Sequence, residues 1–78
     1  MAAKISIVGQ IAEIDREMAM RQRVYPNQVR EGKMRQSEAE LLIERLQAVR
    51  ATLIFCKENE ADIREFIAAK KAGKAGDA

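Results

Sequence analysis

The stretch "RVYPNQVREGKMRQSEAE", residues 23–40, decides the fold. It contains the only Pro of the chain, Pro26, its only Tyr, Tyr25, and an internal glycine, Gly32. Pro26 disfavours helical geometry at Tyr25, so a helix arriving from the N-terminal side is expected to end there. The fixed φ of Pro26 suits the first position of a new, short helix. Gly32 then stops that piece by entering the left-handed region at little steric cost. Ser37 and Glu40 have the spacing of a capping box, which marks the start of the next helix. The expected order is a helix over about 4–24, a short helix over about 26–31 and a long helix over about 37–71.

Upstream, Ile7, Ile11, Ile14, Met18 and Tyr25 fall on one helical stripe. Gly9 weakens the first turns, and Ser6 is read as part of a frayed start. Downstream, Ala39, Leu42, Leu46, Val49, Leu53, Cys56, Glu60, Ile63 and Ile67 follow alternating steps of three and four. That is a heptad seam broken at Glu60. A second apolar stripe, Leu41, Ala48 and Phe55, lies on another side, with Phe66 close to the same direction. At about 1.5 Å per residue, the first helix of a hairpin reaches only to about Lys57. Ile63, Phe66 and Ile67 then project beyond it. A second copy is the simplest cover, so the fold class is all-α: a helical hairpin that dimerises into a four-helix, coiled-coil-like bundle. The candidate dimer interface is Leu41, Phe55, Ile63, Phe66 and Ile67. Residues 1–71 form one hairpin domain, and 72–78 a flexible basic, Gly/Ala-rich tail.

Seventy-eight residues bury little core, so support from a disulfide, a metal or a partner is common at this size. One Cys and no His exclude an intrachain disulfide and a Cys/His metal site. Without His the commonest general base is also missing, and no phosphate-binding glycine loop occurs, so no enzyme and no cofactor are expected. No apolar run is long enough to span a bilayer, and the N-terminus lacks the apolar core of a signal peptide. The expected location is cytoplasmic.

Charge is unevenly placed. Six basic residues from Arg16 to Arg35 face only Glu17 and Glu31, while seven acids and four bases follow between Ser37 and Ile67. Arg21, Arg23, Arg30, Lys33 and Arg35 are the candidate partner-binding surface. The plainer reading is a solvated turn in which Tyr25, Pro26 and Gly32 serve the connection alone. The other functional reading is non-specific, salt-sensitive nucleic-acid binding through phosphate contacts. Tyr25 is the one stacking residue near these cations, and no helix-turn-helix pattern is present.

Residues 13–49 carry Ala19, Met20, Arg21, Arg23, Tyr25 and Pro26, then Gly32, Lys33 and Met34, then Glu38 and Ala39. This pattern, over about half the chain, resembles a set of small, uncharacterised phage and prophage helical proteins. Many of those have an aromatic residue shortly after the Pro, where this chain has Asn27 and Gln28. The resemblance implies a phage-related origin and no particular chemistry. The function expected is that of a non-catalytic protein–protein interaction module, modulating a host or phage protein.

Overall fold

The computed structural model describes residues 4–76. It consists of three helices: α1 (Ile7–Arg30), α2 (Gln36–Glu58) and α3 (Glu60–Gly76). The all-helical class agrees with the sequence reading, and α1 and α2 form the expected hairpin.

The start of α1 is capped, not frayed. Ser6 is extended (φ −68°, ψ 157°), and its Oγ accepts a 3.1 Å hydrogen bond from the Gly9 N–H. This satisfies one of the orphan donors of the first turn.

The expected end near residue 24 is corrected. The helix runs through Pro26 to Arg30, so the separate helix over 26–31 is the closing part of α1. Pro26 removes one donor, the one that would reach the Gln22 carbonyl, and interior Pro costs about 3 kcal/mol. Continuing the helix keeps Tyr25, Gln28 and Val29 half-buried beside α2. This partial burial offsets the local preference of Pro.

The stop at Gly32 holds. Its φ is +76°, the Lys33 N–H donates to the Gln28 carbonyl at 2.9 Å, and the Gly32 N–H donates to that of Val29 at 3.1 Å. These are the two bonds of a Schellman ending.

The capping box at Ser37 does not form. Arg35 is the cap residue, and Ser37 is already the second residue of α2. Arg35 is extended (φ −80°, ψ 148°), and its carbonyl accepts from the Ala39 N–H at 3.0 Å. Glu40 is engaged instead by Gln36, whose Nε2 donates to its Oε1 at 3.1 Å. Ala39, in the first turn, is buried in the core.

The long helix expected over 37–71 is interrupted at Asn59 (φ −111°, ψ 14°), one residue before the seam break read at Glu60. The Asn59 side chain explains the interruption. Its Nδ2 donates to the Phe55 carbonyl at 2.8 Å, the same oxygen that its own N–H reaches at 3.1 Å. A side chain competing for the helix's own acceptor distorts the turn. The ladder then resumes with Ile63 N–H to the Asn59 carbonyl at 2.9 Å. From there α3 continues to Gly76, past the expected end at 71 and into the first part of the expected tail; Asp77 and Ala78 lie outside the described residues.

The core is thin. Only Ile11, Ala39 and Leu46 are buried among the described residues. Ile7, Ile14 and Met18 of α1 and Leu42, Ile43, Leu53, Ile54 and Cys56 of α2 are half-buried around them. The heptad seam therefore works from Ala39 to Cys56, with two departures. Val49 is exposed and borders an open groove with Ile5, Gly9, Ile14 and Leu53. Ile43 and Ile54 join the contact from just outside the seam. Arg50 of α2 clamps α1 by an ion pair to Asp15 at 2.6 Å.

The third helix touches α2, to which it is joined, and not α1. Laid end to end, α2, Asn59 and α3 would measure about 61 Å at 1.5 Å per residue. The longest dimension of the molecule is 62 Å, against 27 and 23 Å across. Thus α3 extends α2 outward and does not fold back on the hairpin.

Candidate functional site

Of the five candidate cations, Arg21 is drawn into the hairpin, while Arg23, Arg30, Lys33 and Arg35 are exposed. Arg21 occupies a position on the packed stripe of α1, between Met18 and Tyr25. It is half-buried, its Nε donates to Glu17 Oε1 at 2.9 Å, and its Nη1 donates to the Leu42 carbonyl across the hairpin at 3.0 Å. Its guanidinium carbon also lies 6.0 Å from the Tyr25 ring centroid, within cation–π range. Arg21 thus ties α1 to α2. Arg30 donates to the Asn27 side chain, and Lys33 lies 3.1 Å from a Glu31 carboxylate oxygen. Arg35 is exposed at the head of α2. Arg23, seven residues before Arg30 and so on the same side of α1, lines a depression with Arg16, Met20 and Glu13. In that depression Arg16 is hydrogen-bonded to Glu13, which raises its pKa further above the ordinary guanidinium value.

Exposed apolar side chains make the more coherent feature. Every candidate dimer-interface residue lies at the surface: Leu41, Phe55 (62% exposed), Ile63, Phe66 (68%) and Ile67. At 100° per residue, Leu41, Ala48 and Phe55 lie on the side of α2 opposite Ala39 and Leu46, which pack on α1. Ile63 and Phe66 prolong that side along α3, with Ile67 at its edge. Between them stands Asn59, so the interruption falls within this apolar strip. Single exposed apolar residues are ordinary, but Ile63, Phe66 and Ile67 are near neighbours at helical spacing on one element.

Other features of the surface were not singled out from the sequence. Ile5, Val8 and Met20 are also exposed. They fall off the α1 stripe, and that offset was the available signal. An open groove between the end of α1 and the start of α2 is lined by Tyr25, Pro26, Val29 and Ile43, with Glu40 and Glu44 on its rim. It exists because α1 passes Pro26 without stopping. Glu60 is exposed and paired with Arg64 at 2.8 Å, so the seam drifts past it.

Among the described residues no three His, Cys, Asp or Glu side chains converge as a metal site would require, and no helix is long and apolar enough to cross a membrane. No protein-family model, no curated protein and no solved structure matches this chain.

Proposed function

We propose that this chain is a non-catalytic interaction module of phage type, working as a homodimer of helical hairpins that presents its surface to a host or phage protein. The phage-type origin rests on the pattern from Ala19 to Ala39 alone. The interaction role rests on one observation: Ile63, Phe66 and Ile67 stand exposed on α3, which makes no contact with α1, and Phe55 stands exposed near the end of α2 just before it. Isolated helices of this length are marginal in water, and most helical stability comes from burying an apolar face. Fully burying each large apolar side chain contributes about 1.5–3 kcal/mol. A covering partner therefore stabilises α3 as well as completing the assembly.

Light scattering at micromolar concentration should give about twice the chain mass. The double substitution Phe55→Ala/Phe66→Ala should return the mass toward that of one chain and lower the helical signal. A wild-type chain that stays monomeric and fully helical at every concentration, and retains no protein on an affinity column, would refute the reading.

A further inference from the structure

We infer that the second copy seats on α3 in the antiparallel direction, with Phe66 near the two-fold axis. This rests on the homodimer reading above and adds its orientation. The observation is the distribution of charge along α3. Its first half carries Glu60, Asp62 and Glu65, with Arg64 held by Glu60. Its second half carries Lys70, Lys71 and Lys74 and no acid before Asp77. The helix is acidic at one end and basic at the other, and so complementary to its own reverse.

Orientation follows from that polarity. Two parallel copies would set carboxylates beside carboxylates and lysines beside lysines along the whole contact. Two antiparallel copies set each acidic half beside a basic half. Phe66 lies four residues from both Asp62 and Lys70, so an axis there brings Asp62 level with the partner's Lys70. Ile63 and Ile67 flank Phe66 and supply the apolar centre of the contact. Opposite charges beside a desolvated apolar strip fix direction and register, while like charges there are rejected. The same polarity favours a second copy over an unrelated helix, because the chain already holds both halves of the match. The hairpin bodies then lie at opposite ends of the assembly.

The test is sedimentation equilibrium of the full chain in low salt. Lys70→Glu/Lys71→Glu should weaken the dimer at least about tenfold, because in the antiparallel arrangement it replaces an acid–base match with acid beside acid. Parallel copies would only exchange lysine–lysine repulsion for glutamate–glutamate repulsion. High salt should recover much of that loss, since exposed pairs are screened. An equimolar mixture with Asp62→Lys/Glu65→Lys should restore association, which a folding defect in either variant would not allow. A dimer unchanged or tightened by Lys70→Glu/Lys71→Glu, yet abolished by Phe55→Ala/Phe66→Ala, keeps the dimer and overturns the orientation. Failure of the mixture to re-associate overturns it too. A monomeric wild type removes the dimer itself.

Discussion

Two serines of this chain illustrate how a short motif is decided by its surroundings. Ser6 caps α1 with a bond to the Gly9 N–H, while Ser37, which carries the capping-box spacing, sits inside the first turn of α2. The substitution Ser6→Ala should cost about 0.5–2 kcal/mol. At about 4–8 °C per kcal/mol for a domain this small, that loss is plain in a melting curve. Ser37→Ala should stay within about 0.5 kcal/mol of wild type, as an exposed substitution away from any cap does. Melting curves of the two variants side by side check the assignment, and a larger loss at Ser37 would reverse it. Arg21 shows the same dependence on context. As one of a run of cations it reads as a binding residue. Its place on the Met18–Tyr25 stripe, visible in the spacing, is what turns it toward the Leu42 carbonyl.

At the scale of elements, Asn59 is the residue that divides one long helix into two. Ala has the better helix propensity and cannot compete for the Phe55 carbonyl. Asn59→Ala should therefore raise the helical signal and stabilise the chain by about 0.5 kcal/mol. Circular dichroism and thermal melting measure both; a loss of either would mean that the side-chain bond holds the turn together. The all-helical class, the hairpin and the projection of Ile63, Phe66 and Ile67 past α1 were legible from periodicity and length, and the stop at Gly32 from the conformational freedom of glycine. The exact ends were not. Pro26, Ser37 and Asn59 each carry a local preference, and each outcome follows something that preference does not contain: the half-burial of Tyr25 and Val29 against the hairpin, the extended Arg35 that begins α2, and Nδ2 on a carbonyl. The candidate cations were legible as a charge cluster, but the loss of Arg21 to the hairpin contact depends on its place on the packed stripe, which composition does not carry.

Taken whole, the hairpin leans on few buried residues, so its polar clamp matters. The Asp15–Arg50 pair links α1 to α2, and the hydrogen bond from Arg50 holds the Asp15 carboxyl below its ordinary pKa. The folded state thus binds this proton less readily than the unfolded chain does. The contribution is fully present above the unfolded carboxylate value, about pH 4, and is lost as pH falls through the lower folded value. Melting temperatures of wild type and Asp15→Asn should differ at neutral pH and converge under acid. A constant offset at every pH would remove Asp15 from the acid limb of stability. Because the pair is half-exposed, salt should narrow the neutral-pH gap as well.

The outward run of α3 also governs how this molecule travels through a medium. A compact chain of this length has a radius of gyration of about 12 Å, whereas this one has 18.9 Å, spread along a 62 Å axis. A rod-like particle meets more drag than a sphere of equal mass. A single chain will therefore leave a gel-filtration column early, at the volume of a heavier globular protein, and pass for an oligomer. Retention calibrated on globular standards confounds shape with stoichiometry here, and a mass that is independent of shape is the quantity that counts the chains.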